Sequence, residues 1–267
     1  MGSNLVFGLT ALMSLVPASV LPYRRAESRR DLVFWALLGA AVAGPVAFSL
    51  AQVGGAWETG LATALWVSIA VSITLFAALA AMTRDGWRLA PLLLPYLFLL
   101  GVLAMAWGYA PAARPLSVPL DAWLTVHILV SVATYALATL AAVAGAAVFL
   151  QERALKRKQP GGLSVLLPSF RDAERLQVRL LGAAEAVLGV GIVTGMAISF
   201  LSRGALLPFD HKTMLSLIAF GVIALLLFLH HRTGLRGQRA ARIVLVAYLL
   251  LTLAYPGVKF VTDVLIG

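Results

Sequence analysis

Cysteine is absent from the 267-residue chain. That absence removes disulfides, thiolate metal sites, thiol redox chemistry and the C-x-x-C-H attachment of a covalent c-type haem. Charge is scarce too, at 12% of residues, and one-sided, with 21 Lys and Arg against 11 Asp and Glu for a net charge of +10. Such an excess can mark a nucleic-acid binder, but here the basic residues flank apolar runs and form no soluble basic face with interleaved aromatics. No nucleic-acid partner is expected. There is no Ser in a G-x-S-x-G context, no H-E-x-x-H and no G-x-x-x-x-G-K-[ST]. Hydrolytic and nucleotide-driven chemistry therefore lack starting residues, and neither a catalytic residue nor a metal site is assigned.

What the chain has in abundance is apolar sequence: 61% of residues are hydrophobic and mean hydropathy is +0.94. The apolar residues fall in continuous runs of span length, which indicates membrane-crossing helices and not the alternating strands of a barrel. Eight spans are read: Asn4 to Leu21, Leu32 to Ala51, Thr59 to Met82, Leu89 to Trp107, Ala122 to Leu150, Val178 to Leu201, Met214 to His230, and Ile243 to about Val264. The fold class is an all-α polytopic bundle forming one integral membrane domain over residues 1–267. Four spans lie within 1–108 and four within 120–267. Membrane lipid is the first partner.

Direction follows from the basic residues. The first span has no positive residue before it, while Arg24, Arg25, Arg29 and Arg30 follow it, so it reads as a retained helix with its N-terminus outside. In that orientation the inner connections hold four, two, seven and four basic residues, together seventeen of the 21. Only Arg114, Arg203, Lys212 and Lys259 remain at or near the outer face, as the positive-inside rule requires. Both termini are expected outside. The longest inner connection contains a Pro-Gly-Gly break and then Ser169 with Asp172 three residues on, which predicts a capped short helix leading into span six. Its basic residues suit a solvated linker touching anionic lipid.

Four histidines are the scarce ionisable groups: His127, His211, His230 and His231. Ionisable residues at membrane depth are costly, so each is a candidate for function. His127 lies about two turns inside span five, with Ser131 and Tyr135 at i+4 and i+8 on the same face. The residues alone leave two roles open for it, ligand or interhelical hydrogen-bonding partner. His211 opens span seven between Asp210 and Lys212, where it is either part of an outer site or an interfacial cap. His230 and His231 close that span at the inner, basic end. A helix rises ~27 Å from Lys212 to His230, so His127 and His230 cannot share one ion, whereas His127 and His211 are both near the outer face, with a depth mismatch of ~9 Å that bent loops and a tilted helix could absorb. Glu185 is a second buried carboxyl candidate, expected to pair with Arg179 or a polar neighbour. Gly191 and Gly195 in "GIVTG" have the spacing of close helix contacts.

In order, "VHILVSVATYALATLAAVAGAAVFLQERALK", "LPSFRDAERLQVRLLGAAEAVLGVGIVTG", "FDHKTMLSLIAFGVIALLLF" and "GLRGQRAARIVLVAYLLLTLAYPGVKF" resemble the cytochrome c assembly protein family, most closely its YpjD-like and HemX-like inner-membrane branch. The likeness covers most of residues 120–262 and, more weakly, the N-terminal half. In haem-delivering members a histidine at the outer end of the helix matching span five ligates haem, and the matching position is His127. His211 matches the "HK" that opens the next-but-one helix in the YpjD-like branch. Those members also carry a tryptophan-rich outer segment where this chain reads "SRGALLPFDHK", and a later outer histidine where it reads "GVKFVTDVLIG".

The resemblance implies a non-enzymatic protein of the bacterial inner membrane that binds or hands over haem, or serves cytochrome c maturation proteins as an accessory. Its cofactor-binding residues would be His127 and His211, with Ser131, Tyr135, Glu185 and His230 as secondary candidates. Two rivals stand beside it: a small-molecule or ion transporter using Ser131, Tyr135 and Glu185, and a non-catalytic membrane partner whose polar residues serve packing alone. The distribution of basic residues predicts that reporter fusions at residues 157 and 236 register as cytoplasmic, and fusions at 114 and after 267 as external. An external loop at 157 would reverse the topology.

Overall fold

The computed structural model describes residues 2–24, 29–53, 60–108, 122–158, 161–204 and 210–261, with side chains from residue 5 onward apart from 202 and 203. Every regular element among them is helical: α1 (Gly2–Arg24), α2 (Leu32–Val53), α3 (Leu61–Met82), α4 (Ala90–Trp107), α5 (Ala122–Lys156), the one-turn α6 (Leu163–Leu166), α7 (Phe170–Arg203), α8 (His211–Thr233), α9 (Gly237–Thr252) and a final turn α10 (Val258–Phe260). A 3₁₀ turn, Gly86–Leu89, leads into α4, and a π-helical stretch, Leu253–Gly257, joins α9 to α10. Eight segments are long and apolar enough to cross a membrane, the last running from Gly237 to Phe260. The chain is an all-α, multi-pass membrane protein. Arg25, Arg114, Phe209 and the end of span eight lie outside the described residues.

The spans run further than hydropathy suggests, because helical backbone continues past the apolar stretch wherever a cap or a charged turn supports it. In α7 the Ser169 side chain accepts the Asp172 N–H, the cap read from S-x-x-D, but the helix it starts is continuous to Arg203. The short helix expected to lead into span six is the first two turns of α7. The α5 helix extends to Lys156, where Lys156 pairs with Glu152 at 2.6 Å. At α8, Asp210 accepts the Thr213 N–H at 2.8 Å, which moves the start of span seven back to His211. Within the spans, hydroxyls such as Ser68 and Thr139 bond to carbonyls four residues earlier, the usual way to hide a hydroxyl where there is no water.

α1 to α4 pack consecutively, with α1 also against α4, around a core that includes Trp66, Phe76 and Leu97. Phe48 meets the Trp66 ring edge-on at 5.0 Å. The second half is built on α5, which packs along α7 and α9 and reaches back to α3. α5 and α7 share the most extensive contact in the molecule. Alanines 138, 141, 144 and 147 of α5 are all buried. With so little side chain between the backbones, dispersion replaces the hydrophobic drive that lipid does not supply. α8 buries only a narrow stripe, Ala219, Ile223 and Leu226, and gives most of its surface to lipid.

At the basic end, two carboxylates hold the start of α9. Glu152 of α5 accepts the Gln238 N–H at 2.7 Å, and Glu174 of α7 accepts the Gly237 N–H at 3.2 Å. Both N–H groups lack intrahelical acceptors, and the negative charge suits the helix N-terminus. Gly237 has φ +66, and a Cβ there would stand 2.5 Å from Glu152 Oε2. Gly237→Ala is expected to lower stability by about 1–3 kcal/mol, from left-handed strain and loss of the clamp. Gly221→Ala, where nothing lies within 4 Å, should leave stability unchanged. Thermal unfolding in detergent compares the two.

Candidate functional site

A cavity of about 550 Å³ opens between α5, α7, α8 and the π-helical stretch, at the end of the bundle opposite the basic loops. Its wall is mostly apolar, and its size is that of a ligand pocket. α5 contributes His127, Ser131, Thr134 and Tyr135, one helical face read at i, i+4, i+7 and i+8. The polar stripe seen in the sequence is thus one wall of a real cavity, although Ser131 spends its proton on the His127 carbonyl at 2.7 Å. α7 contributes Gly191, Gly195, Met196 and Ser199, and α8 contributes Lys212, Thr213 and Ser216.

His127 is half-buried and held on one side only. Its Nδ1 lies 3.0 Å from Thr194 Oγ1, and its ring rests on Gly195, where an added Cβ would approach Cε1 to 3.1 Å. Nε2 makes no hydrogen bond among the described residues, and it is not among the sealed, unpartnered polar atoms of the structure. An imidazole held at Nδ1 and without a partner at Nε2 among the described residues leaves that second nitrogen available to the cavity.

Beneath His127 the cavity ends on a tyrosine cluster. The Tyr135 ring stacks on Tyr248 at 5.6 Å, and Tyr255 of the π stretch lies 6.0 Å from Tyr135. Tyr248 OH donates to Tyr135 OH at 3.1 Å, lies 3.2 Å from the Thr139 hydroxyl, and bonds to Tyr96 OH of α4. These hydroxyls satisfy one another, and Tyr135 and Tyr255 are the members of the cluster that line the cavity. The π stretch aims Tyr255 into the cavity; such local insertions are frequent at functional sites.

The other sequence candidates fall elsewhere. His211 is exposed and does not line the cavity; its neighbours Asp210 and Lys212 do. The helix phase places position 212, not 211, on the cavity lining. Glu185 is not paired with Arg179: both its oxygens are buried and without a hydrogen-bonding partner among the described residues, and it does not line the cavity. His230 lies at the basic end with Nδ1 at 2.9 Å from the Leu235 carbonyl, and His231 bonds to the Leu227 carbonyl at 2.7 Å. Among the described residues no three His, Cys, Asp or Glu side chains gather as a metal site. Sequence reading missed Thr194, Met196 and Tyr255. Only Thr194 carried a signal, as a hydroxyl flanked by two glycines in an apolar span.

Fold and site together define a polytopic helical membrane protein with a ligand-sized, mostly apolar cavity near one membrane face and a single inward histidine. The cytochrome c assembly protein family model matches residues 31–266, and the chain belongs to that family. A similar chain occurs in Azospirillum brasilense, where it is described as an uncharacterized 28.8 kDa protein in the nifR3-like 5′ region; the two are 55% identical over 271 residues, covering all of both chains. No solved structure matches the chain. Gly195→Ala should push the His127 ring from its seat, because a Cβ contact of 3.1 Å is met only by moving the ring. His127 ring NMR signals are expected to shift in that variant and to remain in place in Gly221→Ala.

Proposed function

We propose that this protein binds haem as cargo in the cavity between α5, α7 and α8, with His127 Nε2 as the ligand to iron, and serves cytochrome c biogenesis in the bacterial inner membrane. Family membership supports a role in cytochrome c biogenesis. The observation that carries the haem reading is His127 itself, the one histidine lining the cavity, tethered through Nδ1 and open at Nε2. The residues fit the group: an imidazole for the iron, apolar walls with the Tyr135 and Tyr255 rings for a flat macrocycle, and Lys212 for an anionic edge. The resemblance to the YpjD-like and HemX-like branch is part of this reading, as is an outward-facing cavity, which follows from the basic residues gathered at the other end.

Nothing in this scheme requires covalent chemistry from the protein. The described residues offer one strong nitrogen ligand and no clustered partners, an arrangement that orients a cargo while leaving it free to depart. Handover to cytochrome c maturation proteins is the corresponding role. His211, on the exposed side of α8, is assigned to the interface, and His230 to the basic end. The transporter alternative draws no support from Glu185, which lies outside the cavity lining.

Hemin titration of the purified protein tests the proposal. A Soret shift typical of histidine-ligated haem is expected for the wild type. His127→Ala should weaken binding at least about tenfold, since it removes the metal–ligand bond, while His230→Ala and His211→Asn bind as the wild type does. Equal affinity in His127→Ala would exclude the site.

A further inference from the structure

The Thr194 hydroxyl stands between two groups that each use it. It lies 3.0 Å from the Gly191 carbonyl, to which it donates within α7, and 3.0 Å from His127 Nδ1 across the α5–α7 interface. A threonine hydroxyl has one proton. Once that proton is committed to the Gly191 carbonyl, the oxygen can meet the imidazole only as an acceptor, and Nδ1 must carry the ring hydrogen.

From this arrangement we infer that Thr194 is a positioning residue: it holds His127 in the Nδ1–H tautomer, so that the lone pair at Nε2 is presented to the cavity. Gly195, one residue on, provides the space in which the ring takes that pose, since its missing Cβ would lie 3.1 Å from Cε1. The "TG" of "GIVTG" is then one device, with the hydroxyl choosing which nitrogen is bare and the glycine choosing where the ring lies. An isolated neutral imidazole prefers neither pose strongly enough to be fixed in it, and in an apolar wall a single hydrogen bond decides the matter. The same logic applies wherever a second partner on the far ring nitrogen sets the tautomer and orientation of a ligating histidine.

The tautomer statement concerns the ligand-free protein and stands without haem; its consequence for affinity rests on the proposed function. Ring-¹⁵N histidine NMR of the full chain in detergent micelles reads the first directly, with the His127 signal assigned by its loss in His127→Asn. The wild type and Thr194→Ser should both show the Nδ1–H form. Thr194→Val, of the same shape without the hydroxyl, should shift His127 wholly or partly to the Nε2–H form. Hemin affinity should then fall about 10- to 100-fold in Thr194→Val and recover in Thr194→Ser, the range seen when an outer partner of a ligating histidine is removed. An Nε2–H tautomer in the wild type, or a Thr194→Val spectrum unchanged from it, would overturn the inference. Because the NMR arm involves no haem, failure of haem binding alone would strike the proposed function and leave the tautomer assignment standing.

Discussion

The close approach of α5 to α7 governs the rest of the molecule. Lipid offers no hydrophobic penalty to drive helices together, so two long spans stay in contact where small residues let the backbones near each other and where polar groups reach partners across the pair. Alanines along α5 and glycines on α7 meet the first condition. The second is met at both ends of the pair. At the basic end Glu152 and Glu174, one from each helix, receive the first N–H groups of α9. At the opposite end His127 reaches across to Thr194. One helix pair thus fixes the last span at one membrane face and sets the imidazole at the other.

The cavity is a consequence of how the remaining helices lean on that pair. α8 buries only a thin stripe and leaves a gap beside α5 and α7, into which Lys212, Thr213 and Ser216 project. α9 closes the gap from below through Leu251, and the π stretch adds Ala254 and Tyr255. Tyr96 brings α4 into the same hydroxyl cluster, so the cluster behind Tyr135 is also a place where the N-terminal four helices meet the C-terminal ones. A ligand bound against the tyrosine faces would therefore touch a junction between the two halves. The family's role in cytochrome c biogenesis gives that junction a purpose in the proposed scheme, which is to carry haem toward partners at one membrane face.

The helices and their number were legible because uninterrupted apolar runs have few other solutions in a bilayer. The face shared by His127, Ser131 and Tyr135 was legible for a similar reason, since helical periodicity needs no tertiary information. The Ser169 cap could be read from four residues, but not its continuity with span six, because charged residues lower hydropathy without interrupting a helix. The choice between His211 and Lys212 turns on a single step of helix phase, about 100°, which adjacent polar residues cannot reveal. Glu185 was expected to find a partner because an unpaired carboxyl in lipid is costly; both its oxygens remain unsatisfied. Thr194 and Gly195 look like packing residues until the histidine from another helix is laid against them.

A structure of the protein with hemin bound tests the central claim most directly. The account predicts iron bonded to His127 Nε2, with the macrocycle between α5, α7 and α8, one face toward Tyr135 and Tyr255, and the Thr194 contact to Nδ1 retained. Haem seated anywhere else, or a lipid chain filling the cavity with His127 turned away from it, would contradict it.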